Sequence, residues 1–335
     1  MGVFTGLSLI LTSQTSFAWQ LFISYSLLLA IGTGAGYTIV MSTTSRWFDR
    51  KRGLAVGIVS SGVGVGTVAM APFATHLITN FGWRMAFIVV GLIAGLVIAS
   101  LASLLKKDPG EIGALPDGLK SYTGETVTSG GNDAQPISFS VRQALGTRSF
   151  WLLWVIWLLW SMCLHFVLTH IVRHAIDLGI SAAEASVVLG LIGFASIPAR
   201  LVMGVVSDRV GRKVSAAICA LLQAGAMIWL IWSHDLWMLY LFAVVYGLGY
   251  GGFDPPTVAL VGDTFGLRSI GVIMAALVIG WAIGAAIGPA VGGFIYDVNK
   301  SYFVAFLAGA LLRLAAARLV LLIRREVVRN RSYLT

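Results

Sequence analysis

The sequence predicts an all-α integral membrane protein, and three observations carry that prediction. Hydrophobic residues make up 58% of the 335-residue chain and charged residues 11%, at a mean hydropathy of +0.88, which is more apolar surface than a water-soluble domain of this length needs. The apolar residues fall in runs of about 20, the length that crosses a hydrocarbon core of about 30 Å as a helix. The runs are uninterrupted rather than alternating. That excludes a closed β-barrel, the other architecture that satisfies its backbone in lipid.

Ten spans are expected, at 2–17, 19–44, 53–78, 84–105, 149–171, 182–206, 213–233, 236–261, 269–296 and 301–323. The first lacks a basic leader and a small-residue cleavage site, so it reads as a span and not as a signal peptide. Lysine and arginine set the orientation. With the chain start in the cytoplasm, 17 of the 23 fall in inner loops and the tail, three (Arg84, Arg173, Lys300) fall outside, and Arg200, Arg313 and Arg318 lie within spans. This bias places both termini in the cytoplasm of a multi-pass cell-membrane protein. It also accounts for the +9 charge without nucleic acid as a partner; the partner that remains is the bilayer. Cys163 and Cys219 sit inside apolar runs without paired spacing, so neither a disulfide nor a thiolate metal site is expected.

Between Lys106 and Thr147 the chain turns polar, with three of its eight prolines, and reads as a linker. The flanking halves resemble each other. IGTGAGY (31–37) matches YGLGYGG (246–252), RWFDRKRG (46–53) falls where GDTFGLRSIG (262–271) does, and WRMAFIVVGLIAG (83–95) echoes YFVAFLAGALL (302–312). The offset drifts only from 215 to 219, as two copies of one unit should. The expected organisation is an incomplete bundle of four helices over 1–105, a cytoplasmic linker over 106–147, a six-helix bundle over 148–323 and a tail over 324–335. Four spans against six leads to the expectation that the first copy lacks two helices.

These residues resemble the major facilitator superfamily, and within it the monocarboxylate porter and oxalate:formate antiporter branch. GVVSDRVGRK (204–213) is similar to the superfamily's loop signature GxxxDRxGRK. RWFDRKRGLAVGI (46–58), DPGEIGALPDG (108–118) and HIVRHAIDLGIS (170–181) resemble the branch. The resemblance implies a major facilitator bundle with ten of the usual twelve helices in two pseudo-symmetric halves. It also implies that the loop latches one state of an alternating-access cycle, with Gly204, Asp208, Arg209, Gly211, Arg212, Arg46 and Arg52 as its residues. Read physically, Gly204 permits close helix approach and Gly211 a tight turn, while Asp208 can accept hydrogen bonds from a neighbouring helix N-terminus. A plain positive-inside turn is the alternative.

Arg200 is the charge that most needs an explanation. It lies about 12 Å of helix rise from Asp208, near the bilayer midplane, where a charge costs at least about 3 kcal/mol unless it faces a partner or a wet cavity. A guanidinium there can bind a carboxylate through two parallel donors, and the branch carries such an arginine four residues before the signature's first glycine. Arg200 and Gly204 keep that spacing. The alternative is a permanent ion pair with Asp254, and both hold if substrate displaces Asp254. Ser196, His165 and Tyr250 complete the candidate substrate site. Two departures weaken finer readings: Ser196 stands where proton-coupled porters have aspartate, and the oxalate exchangers' lysine is missing from the ninth span.

Other features carry less. Gly280, Gly284, Gly288 and Gly292 repeat every fourth residue, as packing or sliding helices need. His170 and His174 share a helix face without an acid or cysteine to complete a metal set. Trp151, Trp154, Trp157 and Trp160 step by three and read as a packing surface and aromatic belt. Arg313 has no account at this stage. No GxxxxGK[ST] pattern, nucleophile triad or paired catalytic carboxylates occur, so no enzyme, ATP-driven pump, cofactor or metal is expected. The leading reading is secondary transport of a small organic anion, a monocarboxylate or related carboxylate, with a coupling proton or counter-anion left open. A facilitator carrier of drugs or other metabolites, and a non-transporting truncated product or membrane interaction subunit, are the competing readings.

Overall fold

The computed structural model describes residues 1–113, 116–118 and 139–324. Most of the predicted linker, including Lys120, and Arg325, Arg329 and Arg331 of the predicted tail lie outside the described residues. The elements that matter are α1 (Gly2–Ser13), α2 (Ala18–Trp47), α3 (Arg52–Leu104), α4 (Arg148–Asp177), α5 (Ala182–Val210), α6 (Arg212–Ile231), α7 (Leu236–Phe265), α8 (Ile270–Asn299) and α9 (Phe303–Leu322). α2 contains a π-helical stretch at Phe22–Leu28. α3 holds two apolar spans, Arg52–Met70 and Phe73–Leu104, and its backbone leaves helical geometry at Gly82, where φ is 81°.

The described residues therefore contain nine helices long and apolar enough to cross a membrane, plus one shorter apolar helix. These nine and the shorter helix α1 correspond to the ten expected spans. α1 has 12 residues, about 18 Å of rise, which falls short of the hydrocarbon core. At its C-terminal end Ser13 Oγ and Thr15 Oγ1 donate to the Ile10 and Thr12 carbonyls, and such side-chain bonds compete with continuation of the helix. The other nine spans stand on the predicted apolar runs, most to within a few residues; the boundary between the third and fourth, expected at 78–84, falls at Met70–Phe73.

Glycine contacts organise the packing, as expected where lipid offers no hydrophobic drive between helices. Gly2 and Gly6 of α1 meet Gly91 and Gly95 of α3, while Gly284 and Gly288 of α8 face the Leu158 and Met162 carbonyls of α4. The four-residue stripe of α8 is thus its contact with α4. α5 packs on α7, α6 on α7 and α9, and the start of α3 on α5. That last contact, joined by α2 against α8, brings the first half of the chain onto the second.

Candidate functional site

Prolines interrupt the two helices that carry the central charges: Pro198 stands two residues before Arg200, and Pro255 and Pro256 directly follow Asp254. Proline has no N–H, so each loosens the helix at mid-depth. Close approach of the two helices comes from YGLGYGG. A Cβ on Gly247 would lie 2.6 Å from the Ile192 carbonyl oxygen, and one on Gly251 2.2 Å from that of Ser196. Only glycine allows this contact, and it sets Arg200 opposite Asp254 and Tyr250.

The Arg200 guanidinium donates from Nη1 to Asp254 Oδ2 at 2.5 Å and from Nη2 to Tyr250 Oη at 3.1 Å, and it stands 5.2 Å from the Tyr250 ring centroid. Arg200 and Asp254 are 3% and 2% exposed. The second oxygen of Asp254 accepts from Tyr37 Oη at 2.5 Å. Tyr37 belongs to α2, so the network joins the two halves of the chain. Among the described residues Arg200 Nε is buried without a partner. Trp157 meets Tyr37 edge-on, and Trp160 packs on Phe253 and Tyr250. The indole nitrogens of both tryptophans are buried and unpaired. The tryptophan row is therefore divided: Trp151 is exposed and Trp154 packs on Gly280, whereas Trp157 and Trp160 wall the charged cluster.

Three of the five candidate substrate residues thus come together, and Tyr37 joins them. Ser196 and His165 do not enter the network. Ser196 is buried one turn from Arg200, but its hydroxyl donates to the Gly193 carbonyl of its own helix at 2.7 Å. His165 is half-buried on α4, bonded to Ser161 and edge-on to Trp281. His170 and His174 pack against Tyr302 beyond it.

The basic end forms a second charged cluster. Asp208 accepts from the backbone N–H of Gly53 and of Leu54, both at 3.0 Å, capping the first turn of α3 as expected for a carboxylate at a helix N-terminus. Arg212 pairs with Asp208 and, through Nε at 3.3 Å, with Asp263. Arg52 pairs with Asp263 and with Asp49. Arg46 donates to the Arg268 carbonyl at 3.3 Å. The two repeated loops, RWFDRKRG and GDTFGLRSIG, are thus bound to one another. A Cβ on Gly204 would lie 2.6 Å from the Gly53 carbonyl oxygen, and Gly211 has φ 107°, a conformation that favours glycine. Arg209 is exposed and makes no polar contact among the described residues. Between the clusters, a Cβ on Gly57 would run into the Arg200 carbonyl oxygen, so α3 packs backbone to backbone on α5 at this level.

Among the described residues, nine helices long and apolar enough to cross a membrane, in two halves that meet at a buried charge network and at a capped helix, fit a multi-pass membrane protein. The chain belongs to the Major Facilitator Superfamily, whose family model matches residues 1–176 and 174–333. It is a transporter and not an enzyme. It is similar to monocarboxylate transporter 13 of Bos taurus, 24% identical over 332 residues covering 96% of this chain and 72% of that one. It is also similar to the oxalate:formate antiporter of Oxalobacter formigenes, 26% identical over 265 residues covering 75% and 59%, and to the uncharacterized MFS-type transporter YhjX of Escherichia coli, 25% identical over 289 residues covering 84% and 67%. Among solved structures the fold matches the transporter FucP in an outward conformation, with TM-score 0.72 at 15% identity over 97% of this chain and 82% of that one. The human organic anion transporter MFSD10 gives TM-score 0.70, also at 15% identity, over 95% and 75%.

Proposed function

We propose that this transporter moves a small organic anion bearing a carboxylate, by alternating access between its two halves, with the basic end in the cytoplasm of a cell-membrane protein. The observation that carries the proposal is the buried Arg200–Asp254 pair with an unpaired Nε. A permanent pair needs no spare donor, whereas an arriving carboxylate can take Nε and Nη together. In this reading substrate displaces Asp254 from Arg200, and Asp254 keeps its bond from Tyr37. The similarity to monocarboxylate and oxalate:formate carriers supports the same substrate class.

Charge balance constrains the cycle. The resting pair is neutral, so a monoanion entering alone would leave the buried site at −1. A proton taken up by Asp254 as the anion binds keeps the site neutral; without it the loaded site carries −1 in both directions, and only exchange of one monoanion for another leaves the full cycle electroneutral. The site residues named from the sequence divide accordingly: Arg200 binds, Asp254 competes, Tyr250 orients the guanidinium, and the Asp208, Arg212, Arg52 and Gly204 cluster closes the basic end. Counterflow of labelled lactate, formate and oxalate in proteoliposomes tests the proposal. Exchange of at least one anion, lost in Arg200→Lys, is expected. Its absence across a broad carboxylate panel would favour a carrier of other metabolites in which Arg200 is structural.

A further inference from the structure

The second buried arginine has no part in that site. Arg313 lies ten residues beyond Phe303 in the 20-residue helix α9, about 15 Å of rise and so midway along the helix. It is 0% exposed, and none of its three guanidinium nitrogens has a hydrogen-bond partner. Among the described residues it enters no ion pair. Its guanidinium carbon stands 4.4 Å from the centroid of the Phe253 ring. The ionisable groups that act on it are Cys163 of α4, Tyr246 of α7 and Cys219 of α6. The Tyr246 hydroxyl is itself buried without a partner. Cys163 Sγ lies 3.6 Å from the carbonyl of Gly309, one turn before Arg313, and Cys219 Sγ lies against Gly252, beside Phe253.

The Cys163 thiol is already given to the Gly309 carbonyl, and a neutral hydroxyl or thiol brings no charge. Four helices therefore enclose a cation in an apolar interior with neutral neighbours and, among the described residues, pair it with no carboxylate. Stacking on Phe253 offsets about 2 kcal/mol, short of the several kcal/mol that burying an ion costs. A water molecule would satisfy a donor but not the charge. A monatomic anion does both, and it accepts hydrogen bonds from any direction.

We propose that the interior of the second half holds a buried halide, chloride in the cell, between the Arg313 guanidinium and the Tyr246 hydroxyl, with Cys163 and Cys219 beside it. The site is separate from Arg200 and does not rest on the carboxylate reading. Thermal unfolding of the purified protein, followed in sodium chloride against sodium methanesulfonate, which offers the Arg200 site no carboxylate, at one ionic strength, tests it. Chloride is expected to raise the melting temperature saturably, and bromide to substitute for it. Arg313→Met, which keeps an unbranched side chain without the charge, loses the dependence. Arg200→Gln retains it, and Tyr246→Phe raises the half-saturating chloride concentration about tenfold. Equal melting in both salts, or chloride dependence that survives Arg313→Met, overturns the proposal. Should Arg313→Met fail to fold, wild-type crystals grown in bromide decide the matter. An anomalous peak against the Arg313 guanidinium supports the site, and no peak there overturns it.

Discussion

If substrate must displace Asp254, removing its charge should make anions bind more tightly. Asp254→Asn keeps the shape of the side chain and leaves Arg200 its bond to Tyr250, but it ends a pair whose members are 3% and 2% exposed. Breaking a buried pair by neutralising one partner costs about 3–5 kcal/mol, and the retained Tyr250 bond puts this case at the lower end. The free protein should lose about 3 kcal/mol of stability. An anion that neutralises the orphaned guanidinium recovers that energy, which at 1.4 kcal/mol per decade is about a hundredfold gain in affinity. Trp157 and Trp160 flank the cluster, so their fluorescence reports the titration in detergent. The variant should exchange anions but lose uptake driven by a proton gradient. Unchanged or weaker anion binding in Asp254→Asn, together with undiminished binding in Arg200→Gln, would refute the displacement argument.

Two further predictions concern the joints between the halves and a third the α5–α6 turn. Tyr37→Phe removes a hydrogen bond to a buried carboxylate, worth about 1.5–3 kcal/mol; its effect on unfolding should be non-additive with that of Asp254→Asn, and additivity within about 0.5 kcal/mol would show the two groups uncoupled. Gly204→Ala places a Cβ 2.6 Å from a backbone oxygen of Gly53, an overpacking of about 1–3 kcal/mol that disfavours closure of the basic end. A cysteine introduced at Ser207 should then react faster with an impermeant thiol reagent, against a background of the buried Cys163 and Cys219, and an unchanged rate would count against the latch. Gly211→Ala strains a backbone at φ 107° and should lower stability by about 1–3 kcal/mol, measured by the melting temperature of the purified protein; no measurable loss would mean the α5–α6 turn relaxes freely.

What was legible in the sequence was whatever violates its surroundings. Arg200 and Asp254 stand out because charge is costly in an apolar run, and helix rise alone puts them at similar depth. Asp208 was readable as a cap because the loop places an acid where basic residues dominate. Tyr37 was not readable: a tyrosine in an apolar helix is unremarkable, and its partner lies 217 residues away. Asp263 looked like an ordinary loop acid. Its loop's likeness to RWFDRKRG was the available hint, since repeated loops in a two-fold arrangement meet across the axis. The tryptophan row could not be divided either, because a step of three residues drifts around the helix and only the neighbouring helix decides which rings are enclosed. The end of the first helix was less legible, because the run continues past Ser13, Gln14 and Thr15, whose side chains bond locally where α1 ends.

One helix ties the two clusters together. Asp254 and Asp263 both belong to α7, nine residues or about 13 Å apart. Each is held by the first half of the chain, Asp254 by Tyr37 and Asp263 by Arg52. Pro255 and Pro256 lie between them, where missing backbone donors make the helix easiest to bend. In the proposed alternating-access cycle, opening of the basic end breaks the Arg52–Asp263 pair and the Asp208 cap on α3, and a rigid α7 would pull Asp254 from Tyr37 in the same movement. A helix that bends at the prolines can release Asp263 first. The order of release then depends on how firmly Asp254 is held, and that is set by whether Arg200 is paired with Asp254 or with an anion. Occupancy at mid-depth can in this way bias the latch through α7 alone, with no chain of contacts through the rest of the protein.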